Sequence, residues 1–243
     1  MKALLAIPSH YRPYDIDKKV LYWIGEAGID WKVFCEENQQ LYYMQTCGTN
    51  NLVTTPVGSG LMGQMVAIAE YAEQNGYDLV LKMDDDMRFT KDKAKKIQTG
   101  NVVKQYIKLA LEEFKDPKVG MISVSKPMEY RYGPKEGFVE RKKPVYGNYF
   151  VRTKYLSKLS KDLLLFDDLW ISIEVKLAGD KTLTYLGAYE DAITHKNSGG
   201  LQTYNRDDLG KLAYKRAKKV YPKIEVLENS KHNKFDISVK NYF

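Results

Sequence analysis

The chain of 243 residues has only two cysteines, Cys35 and Cys47, and three histidines. Two thiols make neither a disulfide framework nor a zinc site with ligand spacing, and a reducing cytoplasm is the compartment they imply. Long apolar runs are also missing. "MKALLAIPSHYRP" is interrupted by Pro8 and His10 and is too short for a secretory leader. No run approaches the ~20 residues needed to cross a bilayer. The expectation is a soluble protein with no membrane partner. With no internal repeat and no low-complexity linker, one domain is the simplest organisation. It is taken as residues 1–222, with a polar tail at 223–243.

Hydrophobic residues make up 44% of the chain, enough for a core. Nineteen tyrosines can line sugar or base sites, although half-burial is the ordinary use of this side chain. The formal charge is +7 and the pI is near 9.0, which favours a polyanionic partner.

Periodicity predicts the elements. "KALLAIP" is a short apolar run stopped by Pro8, hence a buried strand. Ile16, Val20, Ile24 and Ala27 then recur at helical spacing before Gly28. "DWKVFCEE" and "YDLVLKM" read as strands, and "LMGQMVAIAEYAEQNG" between them as an amphipathic helix ended by Gly76. Val103, Tyr106, Ile107, Ala110, Leu111 and Phe114 mark a further helix, and "KVGMISVS" a fourth strand. Residues 126–147 are long, charged and broken by Gly and Pro, the mark of a functional or mobile loop. "NYFVRTKYL" reads as a strand, "DDLWISIEVKLAGD" as a helix, "LTYLG" as a last short strand and "RDDLGKLAYKRAKKVYP" as a basic helix. Alternating strands and helices indicate an α/β fold with a central, mostly parallel sheet flanked by helices.

Three consecutive carboxylates, Asp84, Asp85 and Asp86, follow "YDLVLKM". Like charges repel, so they need a cation or solvent. In open α/β sheets ligands bind beyond the carboxyl ends of strands. There, strand alternation would point Asp84 and Asp86 the same way, and two hard oxygen ligands suit Mg²⁺ or Mn²⁺ carrying a diphosphate. A solvated turn is the plainer alternative. An EF-hand is excluded, because its Gly and closing Glu are missing.

"GSGLMG" matches G-x-G-x-x-G through Gly58, Gly60 and Gly63, but it does not follow the first strand, which argues against a Rossmann dehydrogenase. It is either a turn opening a helix or a glycine loop that lets backbone approach a diphosphate. His195 follows the last short strand; it is a structural residue or a third metal ligand. Asp167 and Asp168 start an amphipathic helix, as an N-terminal cap or as a general base.

Taken in order, these pieces resemble the plan of the GT-A glycosyltransferases, which use nucleotide sugars. "AIPSHYRP" looks like their opening strand and nucleotide-contacting turn, and "VFCEE" like the second strand with its acid near base or ribose. "KMDDDMRF" is similar to the D-x-D motif, and "FDDLWISIEVKLAG" looks like the acid-bearing helix of inverting members. "IPSHYRP", the triple acid, "FDDLWIS" and "NSGGLQ" together resemble the TET/JBP-associated glycosyltransferases of bacteriophages.

The resemblance implies a single GT-A-like domain and a UDP-sugar donor in the host cytoplasm. Pro8, Ser9, Arg12, Glu36, Asp84 and Asp85 would lie around the nucleotide, with Gly58, Gly60 and Gln64 closing on ribose or sugar. It further implies Mn²⁺ or Mg²⁺ on Asp84, Asp86 and His195, Asp168 as base with Asp167 beside it, and an acceptor of 5-hydroxymethylated pyrimidine in DNA. The basic runs "RFTKDKAKK", "ERKK" and "KLAYKRAKK" would contact phosphates while aromatics stack on a flipped base, or they are solvated surface. The rival readings are a saccharide or protein acceptor, a nucleotidyltransferase, and a non-catalytic DNA-binding module. The nucleotidyltransferase would need a glycine-rich phosphate loop after the first strand, where "SHYRP" has no glycine.

Overall fold

The computed structural model describes residues 1–16, 20–21, 24–25, 27–90, 99–126, 137–192, 206–229 and 234–243. Among these residues the centre is a nine-stranded sheet in the order β3-β2-β1-β4-β8-β6-β9-β5, with β7 on β9. The strands are β1 Ala3–Pro8, β2 Asp30–Glu36, β3 Leu52–Thr55, β4 Leu79–Lys82, β5 Met87–Thr90, β6 Val119–Ser125, β7 Phe138–Glu140, β8 Tyr149–Arg152 and β9 Lys181–Ala192. From β3 to β4 every pairing is parallel. Beyond β4 the sheet is mixed: β8 lies antiparallel to both β4 and β6, β6 and β9 run parallel, and β5 and β7 pair antiparallel with β9. The α/β class and the flanked central sheet match the sequence expectation.

Strand alternation divides the core between the two faces. Ala3, Leu5 and Ile7 of β1 pack with Leu79, Leu81 and Met83 on one face. Ile16, Val20, Ile24 and Ala27 join them, as their spacing predicted, with Val103, Tyr106, Ile107, Ala110 and Phe114 of α4 (Thr99–Glu113). Leu4, Ala6 and Val80 face the other way, onto α3 (Gly60–Gln74), α6 (Asp167–Leu177) and α7 (Arg206–Val220). The remaining helices are short: α1 Pro13–Ile16, α2 Gln40–Cys47 and α5 Thr153–Leu156.

Several boundaries differ from the sequence reading. "NYFVRTKYL" is strand only to Arg152 and then turns into α5. "LTYLG" belongs to the twelve-residue β9. The short strands β3, β5 and β7 carry too few residues to show a period. The segment after Pro222 forms an antiparallel hairpin, Glu225–Asn229 with Lys234–Ser238, and Val239 enters the core.

Candidate active site

β4 ends at Lys82, and Asp84–Asp86 lie in the turn to β5, beyond the carboxyl ends of β1 and β4. Because this is a turn, strand alternation does not govern the three acids, and each finds its own surroundings. Asp84 is the most open, its side chain 37% exposed, with Oδ1 2.6 Å from the Lys82 ammonium. Asp86 lies 3.0 Å from Arg12. Asp85 points inward at 6% exposure; its Oδ2 accepts from Ser9 Oγ at 2.5 Å and its Oδ1 from Arg12 at 3.0 Å. Burial pushes the Asp85 carboxyl up to about 7, with Arg12 and Ser9 pulling the other way. This side chain props the turn from beneath, through Ser9 and Arg12.

The turn after β1 is equally occupied. Ser9 Oγ meets the Tyr43 hydroxyl at 2.6 Å, and the Ser9 carbonyl accepts from the buried Gln64 amide at 3.0 Å. Its backbone donors go to Phe34 O from Ser9, Gln39 Oε1 from Tyr11 and Tyr43 Oη from Arg12. Pro8 closes β1 immediately before it. Glu36, at the end of β2, accepts from the Gly60 amide at 3.1 Å and so ties β2 to the glycine turn that opens α3. Gly58 and Gly60 both have positive φ, +79° and +60°, which side chains disfavour.

Opposite stands the start of α6. The Asp167 carboxylate accepts from the Tyr149 hydroxyl at 2.6 Å and lies 3.6 Å from Lys82. Lys82 follows Val80 on the α6 face of the sheet, so alternation alone aims it there. Burial works against its ammonium, but Asp167 and Asp84 outweigh it and raise its pKa. Asp168 is half-buried, and its two oxygens accept backbone amides, Gly147 at 2.8 Å and Leu169 at 2.8 Å. Burial and the neighbouring Asp167 push the Asp168 carboxyl up to about 7, against the pull of the Gly147 amide and Lys82. Behind these groups, Asn148 Oδ1 accepts from the Asp84 amide at 2.7 Å, while its own N and Nδ2 donate to Glu190 Oε2 at 3.0 Å each.

Among the described residues the two non-glycine residues with positive φ are Tyr11 (56°) and Phe166 (67°). One precedes Arg12 and the other precedes Asp167. Such conformations cost about 1–3 kcal/mol and gather at functional sites.

Asp84 and Asp86 offer hard carboxylate oxygens, and Mg²⁺-type ions are held by one or two carboxylates plus substrate phosphates. No group of three His, Cys, Asp or Glu gathers among the described residues, and His195 lies outside them. Sequence reasoning missed Lys82, Tyr43, Gly147, Asn148, Tyr149 and Glu190. Lys82 had a signal: a lysine between Leu81 and Met83 in a buried strand needs acidic partners.

Neither a family model nor a curated protein matches the sequence. Solved structures do. GalNAc-T7 with UDP, GalNAc and Mn²⁺ is 11% identical with a TM-score of 0.55, over 90% of this chain and 48% of that one. A protein described as a glucose-1-phosphate thymidylyltransferase from Bacillus anthracis is 14% identical with a TM-score of 0.52, over 88% and 95% of the two chains. UDP-glucose pyrophosphorylase with UDP-glucose is 11% identical with a TM-score of 0.50, over 92% and 100%. The chain has the GT-A and sugar-nucleotidyltransferase fold. Within this GT-A-like fold, the acid turn and the start of α6 face each other across β4 and β8, whose register pairs Lys82 with Tyr149. No helix among the described residues is long and apolar enough to cross a membrane.

Proposed function

We propose that the chain is an inverting glycosyltransferase that moves a sugar from a UDP-sugar to a hydroxyl of a 5-hydroxymethylated pyrimidine in DNA. The observation that carries the reading is the placement of Asp168, a half-buried carboxyl pushed up to about 7, next to Asp167, whose partner Lys82 also binds Asp84 of the acid turn. A general base poised near neutral pH is what abstraction of a hydroxyl proton requires. Asp84 and Asp86 would hold Mn²⁺ or Mg²⁺, with His195 as the third ligand; the ion would offset charge on the departing diphosphate. Asp168 takes the acceptor's proton, the acceptor oxygen bonds to the anomeric carbon, and the bond to the diphosphate breaks on the opposite face. Pro8, Ser9, Arg12, Glu36, Gly58, Gly60 and Gln64 shape the nucleotide side, Ser9 and Gln64 by fixing the turn after β1. Asp167 keeps Lys82 between the two halves.

The nucleotidyltransferase alternative shares the fold. It would need backbone amides after β1 to cradle a triphosphate, and the Ser9, Tyr11 and Arg12 amides are already bonded within the protein. Support for a polyanionic acceptor comes from α7. Lys211, Lys215, Arg216, Lys218 and Lys219 are exposed, whereas Ala213 and Ala217 face the core. The end of α7 rests on the base helix, Tyr221 stacking on Trp170 at 5.3 Å and bonding Glu174.

The test is a transfer assay with Mn²⁺, a panel of UDP-sugars, and duplex DNA with and without 5-hydroxymethylcytosine, read by mass spectrometry of the nucleosides. A sugar-sized gain on the modified base alone, lost in Asp86→Ala, is the expected result. Donor hydrolysis without any gain on DNA would overturn the acceptor and retain the transferase. Nucleotide transfer onto a sugar phosphate would overturn both.

A further inference from the structure

Residues 147 and 148 touch both halves of the site in succession. The Gly147 amide donates to Asp168 Oδ2 at 2.8 Å, and the Asn148 side-chain oxygen accepts from the Asp84 amide at 2.7 Å. Asn148 is wholly buried, and its remaining donors, N and Nδ2, both end on Glu190 Oε2 of β9. The other Glu190 oxygen lies against the Lys126 ammonium. Gly147 has φ +90°, and a Cβ there would fall on the Glu190 carboxylate and the Lys126 ammonium. Position 147 is therefore closed to a side chain twice over, by conformation and by space.

The geometry points to Gly147 and Asn148 as positioning residues that set the acid turn against the base, with Glu190 and Lys126 as their anchor. A buried amide that accepts from one element and donates to another has a single orientation in which all its bonds are met. Asn148 so placed holds Asp84 by its backbone, leaving the Asp84 carboxylate for its own partners. Gly147 supplies a bond to the charged form of Asp168, which favours ionisation. The two roles are separable, because one residue faces the donor-side acids and its neighbour faces the base. This deepens the glycosyltransferase reading and rests on it for the roles of the donor side and of the base.

Three measurements test it. In the wild-type protein, amide hydrogen exchange at Asp84 should be slow, as for a buried bonded amide; exchange as fast as an exposed turn would overturn the proposal even if no variant folds. In Asn148→Ala, the Kd for Mn²⁺–UDP should rise about tenfold, the usual effect of losing one such bond, with the carboxyl titration of Asp168 held near its wild-type midpoint. In Gly147→Ala, where the new Cβ must displace the 147 backbone from Glu190 and Lys126 and so draw its amide away from Asp168, the Asp168 midpoint followed by carboxyl NMR should move upward by about one pH unit. Unchanged Mn²⁺–UDP affinity in Asn148→Ala together with a lowered melting temperature would make the pair purely structural and overturn the proposal. Failure of the wild-type chain to bind Mn²⁺–UDP would overturn the donor reading instead; the exchange and the Gly147→Ala titration then decide the positioning role.

Discussion

Asp85 and Asp168 are pushed to the same place, about 7, by the same cause, burial, yet they occupy opposite situations. Asp85 is sealed under the acid turn, with Ser9 and Arg12 on its two oxygens. Asp168 is half-buried at the start of α6 and accepts two backbone amides. A raised carboxyl is thus a site signal only when exposure and geometry agree. The same contrast holds for the two halves of the site. The acids of the turn are each matched to a cation, Lys82 or Arg12, whereas Asp168 stands beside Asp167, the acid that Lys82 pairs with at the start of α6.

The contrast can be broken most directly at Asp168. Asp168→Asn should lower kcat by about 10²–10⁴-fold, the span of general-base catalysis, while Mn²⁺–UDP still binds. In the wild-type chain kcat/KM should rise with pH through about 7, as Asp168 loses its proton. Asp85→Asn should leave that pH profile in place and lower stability; a profile that shifts with Asp85 would show that the assignment is reversed. Lys82→Met removes the cation shared by Asp84 and the buried Asp167, and should cost about 3–5 kcal/mol in denaturant unfolding. Charge reversal at Lys215, Arg216 and Lys219 should raise the KM for DNA and flatten its salt dependence, and leave donor hydrolysis at the wild-type rate.

The smallest expected effect is on stability against pH. Asp85 and Asp168 sit above the ordinary carboxyl range, so the folded chain binds their protons more tightly than the unfolded chain. The stability this contributes is fully present below about pH 4 and is lost as pH rises through about 7. Either Asn variant should therefore reduce the loss of melting temperature between those limits.

Much of the fold was legible because its signals are local. The apolar runs of β1, β4 and β6 are short and uninterrupted, and the spacing of Ile16, Val20, Ile24 and Ala27 marks them as core residues without any distant contact. The acids at Asp84–Asp86 and the pair at Asp167–Asp168 were visible as charge placed after a strand and at the start of a helix. Their surroundings were not. Strand alternation suggested that Asp84 and Asp86 act alike, but the turn sends one to Lys82 and the other to Arg12. Nothing in the sequence signalled either that Gln64 would hold the Ser9 carbonyl or that Glu36 would hold the Gly60 amide.

From the sequence alone came the α/β class, the faces of the helices and the placing of five acids at element ends, because side-chain period and charge position are properties of neighbouring residues. The tertiary structure decided how deeply each of those acids is buried and which partner it meets. That depends on partners remote in the chain: Arg12 lies 73 residues from Asp85, Asn148 lies 64 from Asp84, and Glu190 a further 42 from Asn148. Sequence spacing holds no record of such pairings; closing the sheet through β4, β8, β6 and β9 brings them together.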